Sequence, residues 1–115
     1  MISYNHWKKK SPEAVKLLRQ VKKEIYAIVP DAQVILYGSQ ARGNPGQYSD
    51  WDFLIIIDQP LDKELIVKIR DRLYDLELET DTVLSSIIRT RKDWYSVRYN
   101  VLPLKKEVDQ EGVLL

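Results

Sequence analysis

The sequence predicts an α+β domain in which a small mixed β-sheet is covered by helices. Two long segments repeat apolar residues at spacings of three and four, which is the period of an amphipathic helix. Three shorter segments are rich in β-branched and apolar residues, which is typical of strands. The predicted elements follow the order helix, strand, strand, helix, strand, helix, helix. This order indicates a mixed sheet with helices packed on it.

The first half of the chain contains one helix and two strands. Ser11 and Pro12 suit the N-cap and the first position of a helix, and Pro30 ends that helix. Residues 34–37 and 51–57 are short and apolar, and they form the first two predicted strands. The apolar face of the helix consists of Ala14, Val15, Leu18, Val21, Ile25 and Ile28.

The second half contains two helix starts, a third strand and a final helix. Asp62 is the predicted N-cap of a helix whose apolar stripe follows it. Residues 82–88 are predicted as the third strand. Thr90 is followed three residues later by an acid, which predicts a short capped helix. The final helix is predicted to begin at Pro103 and to end at Gly112.

Length and composition exclude several classes of function. The chain has 115 residues, which suits a single domain over residues 1–115, and the order of the first ten residues is left open. It has no cysteine and one histidine, so thiolate metal sites and Ser-His-Asp triads are not expected. A net charge of +1 gives no steering toward nucleic acid. With neither a membrane span nor a signal peptide in the sequence, we expect a cytoplasmic protein.

Two aspartates stand at the start of the most apolar strand. Asp50 and Asp52 are two residues apart, so their side chains point to the same side of the strand. Their α-carbons are then roughly 6.6 Å apart, which lets both carboxylates converge on one divalent ion or bridge two. Oxygen ligands alone favour Mg²⁺ or Mn²⁺. Taken by itself, the pair also fits a purely structural interpretation, in which Asp50 caps a turn and Asp52 lies on a solvated strand edge.

A glycine-serine pair follows the first strand. Gly38 allows the backbone to approach a ligand closely, and Ser39 adds a hydroxyl donor. Arg42 can reach the same phosphates with its guanidinium. An ordinary turn glycine and a surface arginine are the alternatives. Together with the aspartates, these residues indicate phosphoryl or nucleotidyl transfer.

The combined motif resembles that of the polymerase-β-type nucleotidyltransferase superfamily, and within it the minimal nucleotidyltransferases. It reads Gly-Ser-Gln-Ala-Arg-Gly over residues 38–43 and Ser-Asp-Trp-Asp-Phe-Leu-Ile over residues 49–55. The resemblance implies a polymerase-β-like nucleotidyltransferase fold and Mg²⁺-dependent transfer of a nucleoside monophosphate, usually AMP from ATP. It implies two Mg²⁺ ions, with Mn²⁺ as an alternative, held by the two aspartates. It assigns nucleotide binding to Gly38, Ser39, Arg42 and Ser49.

The third acidic residue of such a site is ambiguous in this sequence. Fully active members of the superfamily carry another acid on the neighbouring strand, which ligates metal or activates the acceptor. Asp81 is the predicted counterpart, as catalytic residue and metal ligand, with Glu79 second. Ser85 or Ser86 could occupy the position instead. The site would then bind nucleotide but lack its base, at a cost of ~10²–10⁴-fold in rate.

The short chain predicts that the acceptor is held by another molecule. The resemblance implies pairing with a small helical protein of the HEPN type, as in toxin–antitoxin systems, and a homodimer is the other prediction. An alternative function is an antitoxin-like module with a degenerate nucleotide site, which neutralises such a partner without catalysis. Five aromatic residues fit either an interface or ordinary core packing: Tyr4, Trp7, Trp94, Tyr95 and Tyr99.

Overall fold

The computed structural model describes residues 1–7, 11–43 and 50–115. Within these residues no helix combines the length and the apolar character needed to cross a membrane. The strands are β1 (Ile2–Ser3), β2 (Gln33–Tyr37), β3 (Trp51–Ile57), β4 (Leu84–Thr90) and β5 (Val113–Leu114). The α-helices are α1 (Pro12–Ile28), α2 (Ser39–Arg42), α3 (Lys63–Thr80), α4 (Arg91–Trp94) and α5 (Pro103–Glu111). Two 3-10 helices cover Tyr4–His6 and Val97–Val101.

The five strands form one mixed sheet in the order β1-β5-β2-β3-β4. Strand β3 lies antiparallel to β2 and parallel to β4. Helix α3 makes the crossover between the two parallel strands. At the other edge, β5 lies antiparallel to β2 and parallel to β1. The predicted α+β class with a mixed sheet is confirmed.

Side-chain caps fix the start of three helices at the predicted residues. The Ser11 hydroxyl accepts a hydrogen bond from the Ala14 backbone N–H at 3.1 Å. The Asp62 carboxylate accepts one from the Leu65 N–H at 2.8 Å. Helix α4 is capped in the same way by the Thr90 hydroxyl. Each cap satisfies one of the N–H groups that a helix leaves unpaired at its start.

Helices cover both faces of the sheet and create two apolar cores. The larger core joins one face to α1 and α3, and its members include Val21, Ile25, Phe53, Ile69 and Leu73. The smaller core joins the other face to α4 and α5, and it consists of Ile35, Tyr37, Leu54, Ile56, Trp94 and Val108. Because side chains alternate along a strand, Asp52 shares the second face with Leu54 and Ile56.

Strand β4 lies two residues later than the sequence predicts. It spans Leu84–Thr90, whereas residues 82–88 were expected. Helix α3 continues to Thr80, and Asp81 adopts the left-handed conformation with φ of 54° that ends it. The Glu77 carboxylate accepts a hydrogen bond from the N–H of Leu84, the first residue of the strand, at 2.9 Å. The two-residue strands β1 and β5 were not predicted, because so short a segment has no readable period.

The aromatic residues divide between core and surface. Trp7 and Trp94 are only 5% and 1% exposed, so both pack inside the molecule. Tyr99 contacts Trp94 edge-on, with ring centroids 6.1 Å apart. Tyr95 is 52% exposed and is available at the surface. Core packing is therefore the observed role of both tryptophans.

Candidate active site

Gly38 brings the backbone of the first turn into contact with Asp52. The residue is buried and adopts φ of 80° and ψ of −161°, a conformation that side chains other than hydrogen rarely permit. A Cβ atom at this position would lie 2.5 Å from Oδ2 of Asp52. Only glycine therefore lets the turn approach the carboxylate this closely.

Helix α2 is the single helical turn that follows Gly38. Its backbone is closed by a hydrogen bond from the Arg42 N–H to the Gly38 carbonyl at 3.0 Å. Gly43 ends it in the left-handed conformation, with φ of 82°. The N-terminal segment holds it in place, because the Trp7 indole Nε1 donates to the Ala41 carbonyl at 3.1 Å in a buried contact. Residues 39–42 thus form one short helical turn between two glycines.

Asp50 and Asp52 lie together at the start of β3. Asp52 is half-buried and is paired in register with Tyr37 on one side and Ser85 on the other. Asp50 is exposed, and one of its carboxylate oxygens lies 3.4 Å from the Ser85 hydroxyl in a long hydrogen bond. Ser85 therefore contacts Asp50 while it stands beside Asp52. The structure brings the two predicted aspartates to one edge of the sheet.

Burial and neighbouring negative charges raise the pKa values of two side chains at this edge of the sheet. Burial raises the pKa of Asp52, and the charges of Asp50 and Glu107 raise it further, while Arg42 lowers it. Burial likewise raises the pKa of the neighbouring Tyr37 to about 12, with added effects of Asp52 and Glu107. Negative charge is thus concentrated at the site in the absence of a cation, and a bound cation would relieve it.

Arg42 is held by helix α5. Its Nη1 atom lies 3.2 Å from a carboxylate oxygen of Glu107 and 3.1 Å from one of Glu111. The two glutamates are one helical turn apart, so both face the end of α2. Arg42 stands close enough to Asp52 to lower the pKa of the Asp52 carboxyl. If phosphate oxygens replaced the two glutamates as partners of Arg42, its guanidinium could stay near Asp52.

The structure places Asp81, which is predicted as the third acid, outside β4. Asp81 is the exposed C-cap of α3, and it precedes β4 by three residues. Glu79 lies on the exposed side of the same helix. The parallel register instead places Ser85 beside Asp52. No group of three or more acidic or histidine side chains arranged to hold a metal occurs among the described residues.

Ser49 lies outside the described residues, so its predicted nucleotide contact stays a prediction. The sequence did not indicate Tyr37, Glu107 or Glu111 as neighbours of the site. The two glutamates are four residues apart on one helix, but no local pattern links α5 to a turn about 65 residues earlier, and only the folded sheet does so.

The donor set fits a magnesium ion that also has a nucleotide bound to it. Mg²⁺ in nucleotide sites typically takes one or two carboxylates, while phosphate oxygens and water supply its other ligands. Asp50 and Asp52 provide such a pair, and the Ser85 hydroxyl provides a neutral oxygen next to it. The arrangement can therefore position a metal–triphosphate complex in front of the Gly38 turn.

Comparison with known proteins gives a match over most of the chain. Residues 18–111 match the model of the nucleotidyltransferase domain. A relative from Methanocaldococcus jannaschii, described as "Putative protein adenylyltransferase MJ0141", is 37% identical over 81 residues, which cover 66% of this chain and 79% of that protein. "Probable protein adenylyltransferase MntA" of Haemophilus influenzae is 39% identical over 61 residues, covering 53% of this chain and 50% of that protein.

Solved structures share the fold at lower identity. One is described as a toxin-antitoxin with AMP-PNP, and it aligns with a TM-score of 0.54 at 19% identity. The alignment covers 90% of this chain and 69% of that one. A variant of the toxin-antitoxin MntA-HpeT aligns with the same TM-score and identity, covering 89% of this chain and 70% of that one. At this identity the likeness shows the fold alone.

Proposed function

Because this chain belongs to the nucleotidyltransferase-domain family, we propose that it transfers AMP from ATP to a hydroxyl group on a protein. The observation that carries the proposal is the contact between Gly38 and Asp52, which puts the phosphate-binding turn against the aspartate pair. The relatives described as protein adenylyltransferases support a protein as the acceptor.

The chemistry assigns a role to each residue near the pair. The acceptor oxygen forms a bond to the α-phosphorus, the bond from that phosphorus to the β-phosphate oxygen breaks, pyrophosphate leaves, and the hydroxyl proton passes to water. Mg²⁺, when bound, neutralises the phosphate charge and orients the triphosphate. Asp50 and Asp52 would hold it, and Ser39 and the backbone of the Gly38 turn would bind the phosphates. Arg42 would exchange its glutamates for phosphate oxygens.

The acceptor is proposed to be a helical protein of the HEPN type. The solved structures of this fold that are described as toxin-antitoxin complexes support a dedicated partner. Adenylylation of a partner hydroxyl would change both the charge and the bulk of the partner's surface.

A second function is favoured by one observation. Ser85, and not an acid, stands beside Asp52 on β4. If the site lacks a base in the cell as well, the chain would act as an antitoxin-like module that binds its partner without turnover. Neutralisation of the partner would then survive loss of the aspartates.

The test is incubation with ATP labelled on the α-phosphate, Mg²⁺ and a lysate of the source cells. Label should enter a protein, and Asp52→Ala should abolish the transfer without lowering the thermal unfolding midpoint. Asp81→Ala is the matched control, since it removes an acid outside the site, and its transfer should match the native rate. Equal transfer by Asp52→Ala would reject the proposal.

A further inference from the structure

The outer face of α1 carries an unpaired basic stripe. Lys16, Arg19 and Lys23 are spaced by three and four residues, so they share one side of the helix. All three are exposed, and none makes a salt bridge within the part of the chain that the structure describes. They line a shallow groove of about 330 Å³ together with Pro12, Val15 and Gln20.

The outer face of α3 carries exposed apolar residues and two aspartates, which complement the basic stripe of α1 in charge. Val67, Tyr74 and Leu78 are 47%, 53% and 70% exposed, and their spacing places them on one side of the helix. Asp71 and Asp75 lie among them and are exposed. Neither aspartate makes a salt bridge to another described residue. An apolar stripe flanked by unpaired acids is thus open to solvent.

The two helices are antiparallel neighbours on the same face of the sheet. Helix α1 turns directly into β2, α3 connects the parallel strands β3 and β4, and β2 runs against β3. Glu24 of α1 and Arg72 of α3 are joined by a salt bridge of 3.6 Å, which sets the levels of the two helices. When residues are counted in opposite directions along the two helices from this pair, the height of Asp75 along the common helix axis falls between the heights of Arg19 and Lys23.

We propose that two copies of this chain associate face to face through the outer sides of α1 and α3. The two-fold axis runs parallel to the helices, so α1 of each copy packs on α3 of the other. Such a contact is isologous, and each copy offers both halves of the charge pattern. The acids of one copy then alternate with the bases of the other along the helix, in the order Arg19, Asp75, Lys23, Asp71.

Charge selects this axis over the alternative. A two-fold axis perpendicular to the helices would place α1 against α1, with Lys16, Arg19 and Lys23 opposite their own copies. Like charges at such close range suppress association, whereas complementary ones fix the register. The apolar residues of α3 supply contact area that the exposed charge pairs do not, because surface pairs contribute little by themselves. The acids on α3 also disfavour a polyanion as the occupant of the adjoining basic stripe.

The first measurement is sedimentation velocity of the native protein over a range of concentrations. The expected result is a concentration-dependent dimer of twice the 13.5 kDa chain mass. Two charge-reversed proteins follow: Arg19→Glu with Lys23→Glu, and Asp71→Lys with Asp75→Lys. Each should be monomeric alone, since both halves of its interface repel. All four residues are exposed, so the fold should survive, as circular dichroism would check.

Mixing the two charge-reversed proteins is the decisive step. In a heterodimer one α1–α3 contact has both charges reversed and the other is native, so both contacts attract and the dimer should return. Lys92→Glu with Lys106→Glu, on the opposite face of the sheet, is the control and should sediment like the native protein. A native protein that stays monomeric, a mixture that fails to reassociate, or a control that dissociates equally would overturn the proposal.

A nucleic-acid occupant has its own outcome. If a labelled RNA oligonucleotide binds the native monomer and Arg19→Glu with Lys23→Glu abolishes the binding, then the basic stripe serves a polyanion and the dimer is rejected. The interface contains no residue of the candidate active site. Label transfer from ATP therefore tests the proposed function separately, whatever the sedimentation result.

Discussion

At the scale of single residues, Asp52 affects both the stability of the fold and the proposed chemistry. Its carboxylate is half-buried, and burial together with Asp50 and Glu107 raises its pKa. A carboxylate in such surroundings opposes folding unless a cation compensates it. The contact with Gly38 keeps it there, because the turn has no side chain that could displace it. Asp52 therefore lowers the stability of the protein when no cation is bound.

Substitution of Gly38 tests this contact. Gly38→Ala adds a Cβ atom 2.5 Å from Oδ2 of Asp52 and forces alanine into φ of 80°. We expect a loss of about 1–3 kcal/mol in the free energy of unfolding, from backbone strain. We also expect ATP-dependent label transfer to fall, because Asp52 must move. Urea unfolding and the transfer assay measure the two effects.

Gly43→Asn provides the comparison. Gly43 is also left-handed, with φ of 82°, but asparagine tolerates this conformation at little cost. Its stability and its transfer rate should stay close to the native values. Native behaviour of Gly38→Ala in both assays would mean that the close approach is not required.

At the scale of elements, the length of α3 decides which residue of the following strand stands beside Asp52. The helix extends to Thr80, so Asp81 forms its C-cap, and the first paired residue of β4 is Leu84. A parallel register then aligns Ser85 with Asp52. The position at which the superfamily is expected to hold an acid is therefore filled by a hydroxyl, which contacts Asp50 at 3.4 Å.

Restoring an acid at this position should have opposite effects on stability and activity. In Ser85→Asp a third negative charge stands beside Asp50 and Asp52, so we expect lower stability without a divalent ion. With Mg²⁺ and ATP, we expect transfer to rise by about 10²-fold, the low end of what a positioned base contributes. The unfolding midpoint with and without Mg²⁺ and the initial rate of transfer give the readouts.

Ser85→Asn is the isosteric control without the charge, and its stability should depend on Mg²⁺ no more than that of the native protein, with no increase in rate. A folded Ser85→Asp protein with the native rate would show that the missing acid does not limit the reaction. That result would favour an acid supplied by the partner, or the antitoxin-like function.

At the scale of the whole molecule, the sheet separates two layers that have different tasks. Helices α1 and α3 pack on one face, and their outer sides form the proposed dimer interface. Helix α5 packs on the other face through Val108 and presents Glu107 and Glu111 to Arg42. The candidate active site thus belongs to the second layer and lies at the start of β3.

Substitutions at two equally buried valines distinguish the roles of the two layers. Val21 and Val108 are both 0% exposed, one in each core. Val21→Ala and Val108→Ala should each lower the free energy of unfolding by about 2 kcal/mol, because each leaves a small cavity. Only Val108→Ala should also change the affinity for ATP, since it loosens the helix whose glutamates hold Arg42. An equal change of ATP affinity in both proteins would contradict this division.

Much of this protein could be predicted from the sequence because the relevant signals are local. The caps at Ser11, Asp62 and Thr90 and the glycine of the first turn each act within a few residues, and the structure places them as predicted. The same holds for Asp50 and Asp52, since alternation along one strand is enough to align them. The apolar period of α1 is confirmed except that Val15 lies at the outer groove and Leu17 is buried.

Tertiary structure decided what depends on register and on distant segments. The choice of Ser85 over Asp81 follows from where α3 ends and how β4 pairs with β3, and no local pattern specifies either. The pairing of Arg42 with Glu107 and Glu111, and the docking of Trp7 on α2, join residues that only the closed sheet brings together. Short-range preferences select the elements, but packing against a shared sheet determines which of their side chains meet.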